Sequence, residues 1–317
     1  MKYRLSPFPH AMQRYLLSRL VQSLFLLIGV LILVFFMVRL TGDPARLMMP
    51  REASPADIAA FRTAMGLDRP LPVQFWEFMR GAMVGDFGNS LHYRAPAMQM
   101  VLERLPATLE LAAAALTFAL LVAVPLGIIG GSNPGSLWDF LARTVGLIGQ
   151  TVPNFWLALL LLLFFAVNLG WFPTFGRDEA KSVVLPAVAL GFFTMGQLVR
   201  LTRSAVLEIR GEDYIRTAYS KGLPTNIIYA RHIFRNAAIP LVSIIGVQFG
   251  YLLSGSIYIE TIFAWPGLGR MIAESVAARD YPLVQAVAFF TSAVVVLLNL
   301  LTDIAYAIID PRIRYDQ

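Results

Sequence analysis

A chain of 317 residues that is 57% hydrophobic and only 15% charged has the composition of a membrane protein, because soluble domains hold about 45–50% apolar and about 25% charged residues. It has no cysteine, which excludes disulfides, thiolate catalysis and cysteine-based metal sites. Its three histidines, His10, His92 and His232, stand far apart in the sequence and form no ligand pair. The net charge of +6 is explained first by basic cytoplasmic loops rather than by nucleic-acid binding.

The first third of the chain predicts one membrane span followed by an external insertion. Residues 1–14 are polar and basic and are predicted to form a cytoplasmic N-terminus. Residues 15–40 form an apolar run that is too long for a signal-peptide core, which predicts an uncleaved first span. Residues 41–105 hold as many acidic as basic residues and are predicted to fold in the periplasm. Their pattern predicts one helix from Ser54 to about Met65 and a second from Val73 to Val84.

Residues 106–309 predict a membrane core with five further spans. The apolar segments lie at 107–130, 144–169, 183–199, 241–259 and 283–309. Each is about long enough to cross a bilayer, and Pro153 predicts a kink in the third span. A basic stretch at 208–240 and a loop at 260–282 interrupt the spans, and a tail at 310–317 follows. The predicted fold class is therefore all-α, a polytopic membrane protein with six transmembrane helices.

Lysine and arginine are unevenly distributed among the loops. If the N-terminus is cytoplasmic, the loops on that side hold most of the basic residues, and the stretch 208–240 is the richest of them. Cytoplasmic loops carry such an excess, whereas long external loops are largely exempt from the rule. The pattern therefore predicts that both termini and 208–240 are cytoplasmic.

The stretch 208–240 also has specific helix-ending residues. Asp213 predicts an N-terminal cap, and Gly222 predicts a left-handed helix end. We therefore expect two short helices, at about 213–221 and 224–236, that are joined by a tight turn at Gly222. From these residues alone, a basic loop kept in the cytoplasm by its charge is the alternative.

The same stretch resembles the signature loop of ABC-importer permeases in the form found in the dipeptide/oligopeptide family. That form is Asp-Tyr-x-Arg-Thr-Ala-x-x-Lys-Gly, followed by Arg-Asn-Ala-x-x-Pro. The last two matched residues of its second part are Ala237 and Pro240 in this chain. Arg216-Thr217 replaces the more common Glu-Ala. The resemblance implies a coupling helix that docks into a groove on a separate ATPase subunit. The implied coupling residues are Glu212, Asp213, Tyr214, Arg216, Thr217, Ala218, Lys221, Gly222, Arg235 and Asn236.

The loop at 260–282 holds a second set of motifs. Pro266-Gly267 predicts a turn, and Trp265 is typical of a membrane interface, so a membrane-surface turn is one interpretation. The segments Glu260–Arg270 and Arg279–Pro282 resemble the second external loop of peptide permeases. That resemblance implies an external gate or a docking surface for a binding protein. The implied residues are Glu260, Phe263, Trp265, Pro266, Gly267, Arg279, Asp280 and Tyr281.

Small residues recur at four-residue intervals in the fifth predicted span, at Gly246, Gly250 and Ser254. They place a smooth face on one side of a helix, where another helix can approach closely. Gln248 and Ser256 could offer hydrogen bonds to a passing peptide. These five residues predict either a translocation path or partner interface, or packing within the subunit.

The sequence has no Gly-x-x-x-x-Gly-Lys-Ser/Thr phosphate loop, no nucleophile elbow and no zinc-protease motif. We therefore expect no enzyme active site, no cofactor and no metal in this chain. The resemblance, which covers the whole chain, implies the ABC type I importer permease fold in a bacterial inner membrane. It also implies a second, different permease subunit, two ATPase subunits that bind ATP and Mg, and a periplasmic binding protein, with no nucleic acid.

The substrate that the resemblance implies is a short peptide, either a di- or oligopeptide or a glutathione-like compound. Nickel chelates, opines and other small solutes are alternatives for the same type of permease. A secondary transporter and an intramembrane enzyme are alternatives from other classes. Both are disfavoured, because intramembrane ion-binding groups are sparse and no catalytic pair is evident.

Overall fold

A computed structural model of the chain describes residues 9–40, 43, 45, 46, 49 and 52–309. Most of the predicted N-terminal segment 1–14 and all of the tail 310–317 lie outside the described residues. Within them the regular structure is helical, apart from one isolated antiparallel bridge between Asn89 and Pro96. This confirms the all-α prediction.

The helices follow one another with short connections. They are α1 Pro9–Leu40, α2 Pro55–Ala64, α3 Leu71–Met83, α4 Ala97–Ser132, α5 Leu137–Thr151, α6 Asn154–Leu161, α7 Val184–Arg210, α8 Asp213–Ser220, α9 Thr225–Ile227, α10 Arg235–Ile262, α11 Leu268–Ala277 and α12 Tyr281–Ile309. π-Helical segments at Leu162–Asn168 and Ile228–Phe234 extend α6 and join α9 to α10, and a 3₁₀ turn at Ala180–Val183 precedes α7.

Four segments of the described chain are each long and apolar enough to cross a membrane. They are Leu17–Met37, Ala97–Ser132, Ala180–Arg210 and Tyr281–Thr302. Two bent helix pairs raise the number to six if each pair is one span. They are Leu137–Thr151 with Asn154–Asn168, and Thr225–Val242 with Ile244–Ile262. The predicted six spans are thus the upper count.

The third predicted span is not the kinked helix that Pro153 suggested. α5 and α6 meet at 101°, and Pro153 lies between them as the residue before α6. Val152 is extended, with φ −80° and ψ 122°. Proline disfavours the helical conformation of the residue before it and cannot donate a backbone hydrogen bond. The chain therefore breaks here rather than bends.

The chain groups into two compact units, one formed by the described residues within 1–106 together with 267–297, and the other by the described residues within 107–266 and 298–317. The first unit contains both helices predicted for the insertion. Ser54 accepts a hydrogen bond from the Asp57 amide at 3.2 Å, and Asp57 Oδ2 accepts one from the Ser54 amide at 3.2 Å. This capping box fixes the start of α2. α4 already begins at Ala97, so the predicted boundary at 105 lies inside a helix.

The core of the first unit consists of buried apolar side chains from α1, α3, α4, α11 and α12. They include Leu31, Met79, Val101, Met271 and Leu283, and Phe87 from the segment between α3 and α4 joins them. Four aromatic rings, those of Phe35, Phe75, Phe78 and Phe87, pack edge to face or tilted in a chain along this core. Such ring pairs add favourable quadrupole contacts to the burial of apolar area.

The second unit is built on close helix crossings. A Cβ atom placed on Gly149 of α5 would lie 2.8 Å from the Cα of Gly196 on α7, and one on Gly191 would lie 2.4 Å from the carbonyl oxygen of Ala115 on α4. Only glycine permits such approach, and small residues at helix crossings are typical of membrane bundles. Buried Ala123, Leu198 and other apolar residues fill the space around these crossings.

Candidate functional site

The short helix that the sequence predicts at about 213–221 is present as α8, Asp213–Ser220. The prediction that Asp213 caps it is wrong by one position, because Glu212 is the residue before the helix and its side chain makes no capping bond. Asp213 is instead the first helical residue. A carboxylate there still interacts favourably with the partial positive charge of the helix N-terminus.

The left-handed conformation predicted for Gly222 is confirmed, with φ +72°. The Gly222 amide donates to the Tyr219 carbonyl at 2.9 Å, and the Leu223 amide donates to the Ala218 carbonyl at 3.3 Å. This pair of bonds is a Schellman motif, which satisfies the last carbonyls of a helix. A Cβ on Gly222 would have no atom within 4 Å. The turn therefore requires glycine for its backbone conformation and not for space.

One face of α8 is fixed and the other is exposed. Ile215 and Ala218 are buried in a cluster with Val206 of α7 and with Ile228 and Ile233 of the π-helical segment. The opposite face points outwards, and the side chains of Asp213 and Arg216 are 96% and 75% exposed. Among the residues that match the family motif, the exposed ones here are Glu212, Asp213, Tyr214, Arg216, Thr217, Lys221 and Gly222. α8 thus presents a polar surface on a firmly packed base.

The prediction of a second short helix after Gly222 is wrong. The chain continues from α9 through the π-helical segment into α10 and remains helical to Ile262. Asn236, at the start of α10, donates through Nδ2 to the Tyr214 hydroxyl at 3.2 Å and to the His232 carbonyl at 2.7 Å. Tyr214 and Asn236, two residues of the family motif that lie far apart in the sequence, are therefore in contact. Arg235, a third residue of that motif, is exposed.

The small-residue face of α10 packs largely within the subunit. Gly246 is buried, and a Cβ there would overlap the side chain of Thr302 on α12. Gly250 is also buried, and its carbonyl accepts a bond from exposed Ser254 at 3.1 Å. Of the predicted face, Ser254 is the residue that remains open to an outside partner.

The two polar residues nearby are also buried and bonded. Gln248 is 5% exposed, and its Nε2 donates to Oε1 of Gln197 on α7. Ser256 donates to the Leu253 carbonyl at 3.0 Å. The packing alternative accounts for Gly246, Gln248 and Ser256 in the described residues.

The external motif begins with a turn, but not where it was predicted. α10 ends at Ile262, and the chain reverses at Ala264, which has φ +48°. The Trp265 amide donates to the Glu260 carbonyl at 2.8 Å. The prediction of a turn at Pro266-Gly267 is wrong, since Gly267 is the extended residue that precedes α11. A left-handed alanine is strained, and such strain is often found at functional sites.

The prediction that Trp265 lies at the membrane interface is also wrong, because its side chain is fully buried. Its indole Nε1 donates to the Ala107 carbonyl on α4 at 2.8 Å. The Arg177 guanidinium lies over the ring, 5.9 Å from the centroid. A buried tryptophan needs a partner for its N–H, and Ala107 supplies it.

Glu260 and Phe263 share this buried environment. Glu260 is fully buried and accepts a hydrogen bond from Thr108 Oγ1 at 2.9 Å. The Phe263 carbonyl accepts one from the Gly176 amide at 3.0 Å. These side chains hold the turn together and are not available for direct contact with a protein outside.

Sequence reasoning missed one ion pair of this cluster. Arg177 Nε donates to Glu110 Oε2 at 2.8 Å, and both side chains are about two-fifths exposed. The opposite charges of the two residues are visible in the sequence. Nothing in the spacing, however, indicated that the two residues are neighbours.

Asp280 has a structural role in the first unit. It is 1% exposed and precedes α12, where its Oδ1 accepts a weak bond from the Leu283 amide at 3.4 Å. Its Oδ2 accepts from Ser90 Oγ and from the His92 amide at 3.2 Å. Ser90 and His92 were also missed as site residues. The flanking Arg279 is exposed with φ +57°, and Tyr281 is half-buried.

Comparison with protein families supplies the class of the molecule. Residues 123–315 match the family described as binding-protein-dependent transport system inner membrane component. Residues 12–112 match the N-terminal component of the same kind of system. The chain belongs to this family of inner-membrane transport components.

Two relatives of this transport family match nearly the whole chain. The glutathione transport system permease protein GsiC of Salmonella paratyphi A is 41% identical over 305 residues, which is 96% of this chain and 100% of the relative. The dipeptide transport system permease protein DppB of Alkalihalophilus pseudofirmus is 37% identical over 333 residues, with the same shares. Both are permease proteins, which confirms the prediction of a transport subunit rather than an enzyme.

The fold agrees with solved structures of ABC transporters. The MetNI methionine ABC transporter in an inward-facing conformation aligns with a TM-score of 0.56, covering 67% of this chain and 97% of that chain at 17% identity. This confirms the ABC type I importer permease fold. With the family and the candidate spans, it makes the protein a multi-pass component of the inner membrane.

Proposed function

We propose that the chain is one of two permease subunits of an ATP-driven importer for short peptides of the dipeptide or glutathione type. The names of relatives that are 41% and 37% identical over 96% of the chain support this substrate class. Nickel chelates, opines and other small solutes remain the alternatives for the same machinery. The sister permease is a different chain in this proposal.

The observation that carries the proposal is the mounting of α8. Its exposed side chains are available to a groove on an ATPase subunit, while Ile215 and Ala218 anchor it to α7 and to the π-helical segment. The Asn236–Tyr214 bond adds a link to α10. Because α8 packs against α7 and is bonded to α10, a displacement of α8 is transmitted to these long helices rather than absorbed locally. ATP and Mg bind to two partner ATPase subunits, whose closure supplies that displacement.

The external cluster is the proposed gate. Glu260, Phe263 and Trp265 fix the turn at Ala264, and Arg177 and Glu110 close its exposed side. A periplasmic binding protein docks onto the exposed residues around this turn and around Arg279. Ser254 and the exposed part of its helix face form the proposed contact with the sister permease or the path.

The charge distribution supports the proposed orientation. Both termini and α8 lie in the cytoplasm, and α2, α3 and the turn at Ala264 lie in the periplasm. In this arrangement α8 reaches cytoplasmic ATPases and the gate reaches the binding protein.

Purification of the assembled importer tests the proposal. The chain, co-expressed with its transport partners, is expected to purify with a second permease and two ATPase copies. In liposomes, uptake of a labelled dipeptide or glutathione requires ATP inside and the binding protein outside. Transport by the purified single chain, or uptake driven by an ion gradient without ATP, would make the chain a secondary transporter instead.

A further inference from the structure

A cavity of about 460 Å³ lies between α5 and α7 and takes no part in the coupling helix or the external gate. Its lining includes Arg143, Leu147 and Gln150 from α5 and Arg200, Arg203 and Ser204 from α7. Three guanidinium groups line one cavity of a membrane protein, and basic pockets between membrane helices attract anionic groups.

One carboxylate within the cluster satisfies only part of this charge. Asp139 is 2% exposed, and its Oδ1 binds Arg203 Nε at 2.5 Å. Its Oδ2 lies 3.3 Å from Arg143 and also accepts the Gly135 amide at 3.0 Å. Among the side chains that the structure describes, Arg200 has neither a hydrogen bond nor an ion pair. Three arginines and one aspartate leave a net charge of +2 around the cavity.

The cavity lies at a boundary between charged and uncharged chain. On α7 no charged residue occurs from Val184 to Val199, and Arg200 is the first that follows. On α5 and beyond, no charged residue occurs from Thr144 to Gly176. The two helices run antiparallel here, because Asp139 binds Arg203 while Gly149 touches Gly196. Their charged ends therefore coincide, and so do their uncharged ends.

We propose that this cavity binds the headgroup of an anionic phospholipid, with the phosphate on Arg200 and Arg143 and the acyl chain along the uncharged end. Leu147, which lines the cavity, is 64% exposed, and its neighbour Ile148 is 44% exposed, so the apolar wall continues onto an open apolar surface. A phospholipid joins one negative charge to an apolar chain, which matches this change along the cavity. Basic pockets between membrane helices bind such headgroups. A free anion would contact the arginines but would leave the apolar half of the cavity unoccupied.

Native mass spectrometry of the full-length chain purified from membranes tests the site. The chain is incubated with phosphatidylglycerol or, for comparison, with phosphatidylcholine. We expect wild type to retain phosphatidylglycerol in preference. Arg200→Gln is expected to weaken retention about ten-fold, because one charge-assisted hydrogen bond to phosphate is lost. Arg200→Lys is expected to lose less, since the charge remains.

Arg231→Gln is the matched control, because Arg231 is also an exposed arginine but lies outside the cavity. It is expected to retain phosphatidylglycerol as wild type does. Arg143→Gln provides a second cavity variant on a side chain that is 57% exposed, in case Arg200→Gln fails to fold. Equal retention by wild type and both cavity variants would overturn the proposal.

Competition separates the lipid from soluble anions. Displacement of phosphatidylglycerol by millimolar inorganic phosphate or glycerophosphate would show a general anion site and overturn the lipid proposal. Displacement by a dipeptide or glutathione would place the cavity in the substrate path and overturn it as well. We expect the chain to retain phosphatidylglycerol in the presence of the phosphate compounds, the dipeptide and glutathione.

Discussion

The indole nitrogen of Trp265 lies 2.8 Å from the carbonyl oxygen of Ala107 and donates a hydrogen bond to it. This bond ties the turn after α10 to α4 within the second unit. Because the tryptophan is fully buried, neither of the two groups can exchange its partner for water. The turn at Ala264, with its strained left-handed alanine, is thereby held in place from the side.

Replacing Trp265 by phenylalanine keeps an apolar ring but removes the donor. We expect Trp265→Phe to lower the free energy of unfolding by about 1–2 kcal/mol, since a buried hydrogen bond is lost. Trp171→Phe is the control, because Trp171 is 59% exposed, and it is expected to change little. Heat-induced unfolding of the detergent-purified proteins measures the difference. Equal stability of the two variants would show that the bond to Ala107 contributes nothing.

Local chemistry explains what the sequence could predict. The left-handed turn at Gly222 and the capped start of α2 at Ser54 depend on residues within one helical turn, and both are confirmed. The burial of Trp265 depends on Ala107 and Arg177, which are distant in the chain. No local sequence pattern predicts such contacts. The amphipathic ring of Trp265 therefore led to the prediction that it lies at the membrane interface. The cavity between α5 and α7 was unpredictable for the same reason, since its arginines belong to different helices.

The crossing of α5 and α7 gives a prediction about packing. A Cβ on Gly149 would lie 2.8 Å from the Gly196 Cα and 3.0 Å from the Phe192 carbonyl oxygen. These are backbone atoms, so the helices must separate. We expect Gly149→Ala to destabilise the protein by about 1–3 kcal/mol.

Gly29→Ala in α1 is the matched control, because a Cβ there meets nothing within 4 Å. It is expected to be neutral or slightly stabilising, since alanine favours helix over glycine by about 1 kcal/mol. The midpoint of thermal unfolding in detergent ranks the two variants. A Gly149→Ala protein as stable as Gly29→Ala would mean that the crossing is looser than described.

Orientation in the membrane can be tested with single cysteines, because the natural chain has none. Asp57 is unsuitable, because its side chain takes part in the capping box of α2. Ala60 is exposed on the same helix and carries no such bond. We expect Ala60→Cys to react with an impermeant thiol reagent in intact spheroplasts. Ser220→Cys, exposed at the end of α8, is expected to react only after lysis. The reverse pattern would invert the orientation.

The coupling role of α8 is best tested at Gly222, where the backbone alone demands glycine. A side chain there meets no neighbouring atom, so a substitution imposes mainly the cost of the left-handed conformation, about 1–2 kcal/mol for most residues. Asparagine tolerates this conformation, whereas valine does not. We expect Gly222→Asn to retain transport and Gly222→Val to insert into the membrane but transport several-fold less. Substrate-stimulated ATP hydrolysis by the assembled importer should fall in parallel.

Gly170 provides a matched comparison for this substitution. It also has a positive φ, +64°, and a Cβ there also meets nothing within 4 Å, but it lies far from α8 in the sequence, after the π-helical end of α6. Gly170→Val therefore carries a similar backbone penalty without disturbing the helix that is proposed to contact the ATPase. We expect it to retain both transport and stimulated hydrolysis, with the affinity of the binding protein for substrate unchanged in every variant. If Gly222→Val and Gly170→Val lost transport equally, the loss would reflect general destabilisation. If neither lost it, α8 would be an exposed polar helix without a coupling role.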